Sequence, residues 1–197
     1  MRMRAEERRC GPESVAARFA RIRPKLYHVT SSENVEGIAR RGLRTAAQLA
    51  AEGGVELAGV RQAVVRTSSA TIRDQKPIVT KTLLGHLDGI TLDEWLAILN
   101  GRIFLFPEED RAGRLARTYA DRSLPQAVLA FDTSQVLAAA GDRLEVADRN
   151  TGSVPRAKGC PCRGRSTFVA LSGAPNLRRI QEVTVVGGLE AVDFARQ

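Results

Sequence analysis

The sequence predicts an α+β fold. Helical patterns dominate the first third of the chain, strands and helices mix in the middle, and several strands come late. That order differs from a regular β-α-β alternation. Apolar residues make up 43% of 197 residues, ordinary for a globular chain and enough to bury a core without staples. No apolar run approaches the ~20 residues of a membrane span. The expected organisation is one domain over residues 13–197, preceded by a flexible basic arm at 1–12 that ends in Gly11-Pro12.

Glu13 to Arg23 carries Val15, Phe19 and Ile22 at i, i+4 and i+7, one apolar helical face. Pro24 ends it, and Leu26–Val29 reads as a strand closing on the polar pair His28 and Thr30. Ser31 or Ser32 is placed to N-cap a helix of about three turns. Val35, Ile38 and Ala39 give its inner face. Gly42 sits where a left-handed residue closes a helix, with Leu43 folding back. Residues 45–52 favour helix, broken by Gly53-Gly54.

Residues 55–78 are harder to read. Val60–Val65 suits a strand, and Thr71-Ile72-Arg73-Asp74-Gln75 looks irregular. Residues 78–87 fit a short helix. Thr91 and Glu94 form a capping-box pattern before Leu92, Trp95, Leu96 and Leu99. Arg102–Phe106 reads as a buried strand stopped by Pro107, and Glu108 to Tyr119 as helix. Ala127–Phe131 is a further apolar strand. Asp132 or Thr133 caps a helix to about Ala140, and Leu144–Val146 is a short strand. Residues 149–165 hold five cations and no acid amid Gly and Pro, so a long exposed loop is expected. Thr167–Leu171 and Ile180–Val186 complete the strands.

The formal net charge is +8, carried mostly by arginine. That balance suits phosphate contacts, and equally a codon bias with solvated charge. Three cysteines, Cys10, Cys160 and Cys162, argue against a disulfide framework. Cys160-Pro161-Cys162 lacks the spacing and second pair of a zinc site. No apolar segment follows the basic start, so a signal peptide is not expected and a cytoplasmic location is the default. Phosphate-loop, dinucleotide, nucleophile-elbow and zinc-protease motifs are absent.

Three features can carry chemistry. His28 and Thr30 share one face of a strand, where an imidazole and a hydroxyl can hold a ribose diol. A core histidine satisfied by backbone is the competing reading. Tyr119 can stack on a planar heterocycle or be a half-buried helix residue. Glu182 is a lone carboxylate in an apolar strand. It is costly if buried unpaired and otherwise faces solvent or a cleft.

Taken together, these features resemble the ADP-ribosyltransferase superfamily of the His–Tyr–Glu type. Leu26-Tyr27-His28-Val29-Thr30, Asn34-Val35-Glu36-Gly37-Ile38 and Gly42-Leu43 resemble the opening of bacterial DNA ADP-ribosylating toxins. RNA 2′-phosphotransferases begin in a similar way. Ile103–Phe106, the helix with Tyr119 and the Val128–Phe131 strand resemble the second motif region. Gln181-Glu182-Val183-Thr184-Val185 resembles the glutamate strand. Residues 71–77 resemble an uncharacterised group of bacterial proteins with the same layout.

The resemblance implies a split mixed sheet around an NAD cleft, with flanking helices. It implies NAD as substrate and transfer of ADP-ribose to a macromolecule, with DNA and RNA as the candidate acceptors. His28, Thr30 and Asn34 would hold NAD, Tyr119 would stack on nicotinamide, and Glu182 would stabilise the oxocarbenium-like state. Arg73 would offset the pyrophosphate, with Arg61 and Arg66 as competitors. Arg156, Lys158, Arg163 and Arg165 in the 149–165 loop would meet the acceptor through its phosphates. A toxin role would bring an antitoxin or immunity partner. Two alternatives stand beside this reading: an RNA 2′-phosphotransferase-like enzyme, which needs several arginines converging on a phosphate, and a basic nucleic-acid-binding module without catalysis.

Overall fold

The structure is a computed structural model that describes residues 13–120, 124–154, 159–190 and 192–197. The expected arm at 1–12 lies outside the described residues, as do Arg156 and Lys158. The fold is α+β, with antiparallel sheets and helices packed around them. None of the described helices is long and apolar enough to cross a membrane.

Helix α1 (Val15–Ile22) starts at Ser14, whose hydroxyl accepts the Ala17 amide, and buries Phe19 completely. Strand β1 runs from Lys25 to Ser31, longer than the apolar run alone predicts. The expected serine cap does not form. The strand continues through Ser31, and Ser32–Asn34 makes a single 3₁₀ turn before the short helix α2 (Val35–Arg41). Gly42 closes α2 at φ +77°, the left-handed conformation its position suggests. Helix α3 (Ala46–Glu52) opens on a capping box between Thr45 and Gln48.

Residues 60–64 are not a strand. The chain instead makes a two-rung hairpin, β2 (Val65–Arg66) with β3 (Thr71–Ile72). Helix α4 (Thr80–Leu84) follows, then α5 (Leu92–Asn100), opened by the Thr91–Glu94 capping box as the pattern predicts. The remaining elements are β4 (Arg102–Leu105), α6 (Glu109–Ala120), β5 (Gln126–Asp132), α7 (Thr133–Ala140), β6 (Leu144–Ala147), β7 (Val169–Ala170), β8 (Glu182–Val186) and β9 (Phe194–Arg196). Asp132 caps α7 through the Ser134 and Gln135 amides. The strand expected over Thr167–Leu171 shrinks to β7 because 3₁₀ turns occupy both flanks.

Two sheets organise the molecule, β1-β5-β9 and β4-β8-β6-β7. Every ladder described in them is antiparallel, so the expected mixed sheet is not what forms; among the described residues the one parallel pairing is an isolated bridge between Leu87 and Arg163. The sheets touch where Tyr27 of β1 and Phe106, just beyond β4, exchange both backbone hydrogen bonds, at 2.9 and 2.8 Å. Helix α6 packs on β1 and β5, and α1 packs on α7.

One apolar core joins Leu26, Phe131, Leu105 and Val183 from the two sheets with Phe19 and Val136 from the helices. A second gathers Trp95, Leu83, Ile78 and Phe168 beneath α4 and α5, with the Trp95 and Phe168 rings stacked at 5.8 Å. Burying a side chain of this size contributes about 1.5–3 kcal/mol.

Candidate functional site

A cavity of about 460 Å³ lies at the contact between the two sheets. His28, Thr30, Asn34, Arg73, Tyr119 and Glu182 all line it. The fold therefore brings together six residues that the sequence spreads over more than 150 positions. The volume lies within the range of small-molecule sites.

The parting of β1 and β4 positions His28. After the Tyr27–Phe106 bridge, a continued ladder would set the Phe104 carbonyl against the Val29 amide. Among the described residues that bond is absent, and the His28 ring reaches the carbonyl instead, with Nδ1 2.9 Å from Phe104 O. A carbonyl only accepts, so Nδ1 carries the proton and Nε2 is left as an acceptor. Burial pushes the imidazole down to about 4. The Phe104 bond opposes this and the nearby Arg73 charge adds to it. At neutral pH the ring is uncharged and its Nε2 lone pair can accept from a hydroxyl.

Asn34 acts differently from expectation. Its Nδ2 donates to Thr30 Oγ1 at 3.0 Å and to the Thr71 carbonyl at 2.8 Å, while its Oδ1 accepts the Thr71 amide at 2.8 Å. Both amide hydrogens are used within the protein, so no donor is left for NAD. What Asn34 does is clamp β3. Glu33 joins it by accepting the Thr71 hydroxyl at 2.6 Å. The segment that follows carries Arg73, so the first motif places the arginine without touching it.

Arg61 completes that arrangement. Its Nε donates to the Arg73 carbonyl at 3.1 Å and its Nη1 to Asn100 Oδ1 at 2.7 Å. The Arg73 guanidinium lies over the Tyr119 ring, 5.0 Å from its centroid, a cation–π contact. Its Nη1 is buried and finds no hydrogen-bond partner among the described residues. Burial pushes both the Arg61 and Arg73 guanidinia below the usual arginine range. Tyr119 is 4% exposed and its hydroxyl donates to the Asp74 carbonyl at 2.7 Å. This geometry makes Tyr119 the platform under Arg73. A nicotinamide could stack on the same face only if the guanidinium withdrew.

Glu182 is the first residue of β8 and is 4% exposed. Its carboxylate accepts the Thr151 hydroxyl at 2.6 Å and the Thr151 amide at 3.2 Å. Burial pushes it up to about 7, while the Thr151 bonds and the Arg111 and Arg163 charges pull the other way. Arg111, on α6, also donates to Gln181 Oε1 at 2.9 Å. A carboxyl titrating near neutrality, inside a cavity, can hold or accept a proton at working pH.

Within the described part of the basic loop, Arg163 departs from the exposed, acceptor-facing role read from the charge. Arg163 is 1% exposed and directs its guanidinium at backbone carbonyls. Its planar fork of five donors lets one side chain serve several carbonyls at once. Arg165 is exposed and paired with Glu94 at 2.6 Å, and Arg149 pairs with Asp148 at 2.7 Å. Cys160 and Cys162 are free thiols. Among the described residues no cluster of His, Cys, Asp or Glu is placed to hold a metal.

Thr151 and Arg111 escape a reading of the sequence. Thr151 belongs to a Gly- and Ser-containing turn that looks exposed, yet it is 1% exposed. The signal lies in the register: Ala147, at the end of β6, opposes Glu182, so the turn just beyond must lie beside that carboxylate. Arg111 shares a helix face with Tyr119 only at two-turn spacing, which an arginine-rich helix hides.

No curated protein and no solved structure matches the chain. A family model, described as a family of unknown function, matches residues 24–193, a stretch that runs from just before β1 to just before β9 and holds every described cavity residue named above. The chain belongs to that family, DUF7002.

Proposed function

We propose that the protein is an NAD-dependent ADP-ribosyltransferase on a split-sheet fold, with the cavity as its NAD cleft. The observation that carries this reading is the meeting of His28 and Glu182 on one cavity, from strands of different sheets. A glutamate pointing to solvent away from His28 would have ended it. The opening between β1 and β4 supports the split.

In this reading the neutral His28 accepts from the adenosine-side ribose through Nε2. Thr30 supports the same ribose. The unpartnered Nη1 of Arg73 takes a pyrophosphate oxygen. Glu182 binds the 2′-hydroxyl of the nicotinamide ribose and stabilises the positive charge that develops as the C1′–N bond breaks. The acceptor nucleophile then bonds to C1′, and its proton passes to Glu182 or to water. Tyr119 enters as the support of Arg73, and Asn34 as the clamp of the Arg73 segment.

A second reading, transfer of an RNA 2′-phosphate to NAD, draws on one further observation. Arg61, Arg73, Arg111 and Arg114 all line the cavity, which is the convergence of cations a bound phosphate needs. Among the described loop residues called for the acceptor, Arg163 is buried and Arg165 is paired with Glu94, so the cavity arginines are the described cations that support a nucleic-acid acceptor.

The test is incubation with NAD labelled in its adenylate part, together with separate DNA, RNA and protein pools. Nicotinamide release with label on one pool is the expected outcome, and Glu182→Gln should lower it at least 100-fold with the fold retained by circular dichroism. Release of a 2′-phosphate from RNA would select the second reading. Salt-sensitive nucleic-acid binding without any NAD consumption would leave a binding module. Undiminished turnover in the Glu182→Gln variant would sink the mechanism.

A further inference from the structure

We infer that Arg163 is the positioning residue for Glu182, acting through the Asn150–Ser153 turn; the inference rests on the reading of Glu182 as the reacting carboxylate. Arg163 is among the largest fully buried side chains. Nη2 donates to the Asn150 carbonyl at 2.7 Å and the Ser153 carbonyl at 3.3 Å. Nη1 donates to the Pro161 carbonyl and approaches Cys160 Sγ at 3.4 Å. One guanidinium thus grips both sides of Thr151.

The arginine is itself fixed. Its amide donates to the His86 carbonyl at 2.7 Å, and its carbonyl accepts the Asp88 amide at 2.9 Å. The next residue, Gly164, approaches so closely that a Cβ there would lie 2.5 Å from the Asp88 carbonyl oxygen. The strut therefore starts from a rigid base. At its far end the turn delivers two bonds to one carboxylate, from the Thr151 hydroxyl and amide.

The chemistry of the partners sets this apart from a plain loop anchor. A buried guanidinium is costly to desolvate and is ordinarily matched with a carboxylate. Here its hydrogen-bond partners among the described residues are three carbonyls and a thiol, and its charge still acts on Glu182 without touching it. The side chain thus serves Glu182 in two ways: it holds the Thr151 donors in place, and it puts a fixed positive charge behind them. Cys160 and the 159–162 segment enter only as the outer grip of the same fork.

The decisive measurement reads Glu182 directly and needs no turnover. The carboxyl of Glu182 is followed by ¹³C NMR through a pH titration, assigned by its loss in Glu182→Gln. Arg163→Met should move the midpoint upward by about one pH unit. Thr151→Val should move it the same way, and the two shifts should fall short of additive when combined. Arg163→Lys keeps the charge but not the fork, so a smaller upward shift is expected. If Arg163→Met does not fold, Arg163→Lys and Thr151→Val, alone and together, decide the matter. An unmoved midpoint in the folded variants, or shifts that simply add, would overturn the inference.

In NAD turnover, Arg163→Lys should lower kcat roughly 10-fold or more with KM within about 2-fold. The alkaline shift of its pH profile should match the NMR midpoint. Absence of turnover in the native chain would defeat the proposed activity while the titration still reports on the strut.

Discussion

At the β1 end of the cavity, His28 is held neutral by burial, beside a cation, with one ring nitrogen fixed on the Phe104 carbonyl. At the β8 end, Glu182 is buried too, but donors from Thr151 and two arginine charges hold part of its acidity. The same desolvation therefore produces opposite pH behaviour. The unfolded chain protonates His28 below about 6.5 and the native chain only near 4, so this end loses stability as pH falls through that interval. The native chain keeps the Glu182 proton up to about 7, against 4.5 unfolded, so that end loses stability as pH rises from 4.5 to 7. Between about 4.5 and 6.5 the two slopes, each about 1.4 kcal/mol per pH unit at full effect, oppose one another. A flat stability profile in this window would therefore conceal two groups that burial pushes in opposite directions.

The largest change comes from cutting the clamp at the β1 end alone. Asn34→Ala removes its bonds to Thr30 and Thr71 and leaves the 5%-exposed Thr71 with an unpaired amide and carbonyl. Urea unfolding should show a loss of roughly 2–4 kcal/mol. The Glu182 midpoint should not move, since Asn34 has no part in the Thr151 contacts; a shift there would mean that the two ends are coupled.

Glu182→Gln breaks the comparison from the other side, and with the opposite sign. It removes the charge that burial disfavours, so at pH 8 the variant should be more stable than the native chain by roughly 1–3 kcal/mol. The gain should vanish near pH 4.5, where the native carboxyl is already protonated. His28→Gln should give the complementary result. It keeps an N–H for Phe104 and removes the His28 slope, so the Glu182 slope is left unopposed and thermal melts should show the variant gaining about 1–2 kcal/mol as pH falls from 6.5 to 4.5, where the native chain stays flat.

The two ends also differ in how far the sequence discloses them. At the β1 end, the apolar run before His28 and the left-handed Gly42 are local patterns, and the structure follows them. The same holds for the Thr91 capping box and the Asp132 cap, each decided within a few residues. What fails is non-local. Asn34 stands where a cap or ligand residue is plausible, but its partner Thr71 lies far along the chain, in a hairpin of two short rungs that no periodicity marks. Strand β9 is only three residues long, too short for any alternation to mark, and pairs along the edge that β5 offers it. At the β8 end almost everything turns on a charge pattern. Arginines read as exposed because burying one is costly; only the carbonyls of Asn150, Ser153 and Pro161, brought together by the fold, make the buried position of Arg163 tolerable.

Arg73 adds to the lowering at His28 by its charge, and it does not figure among the groups acting on Glu182. Arg73→Met keeps the length of the side chain over the Tyr119 ring and removes only that charge. The imidazole midpoint, followed by its ring-proton shifts, should rise by a few tenths of a pH unit, the size of a solvent-softened charge at a few ångströms. Burial, the larger cause, is left in place, so the midpoint should stay well below 6.5. The Glu182 carboxyl should titrate as before. Equal movement of both midpoints would mean that one shared field governs the cavity. Movement at His28 alone would mean that each end is set by its own neighbours, as the Phe104 carbonyl and Arg73 on one side and Thr151 on the other imply.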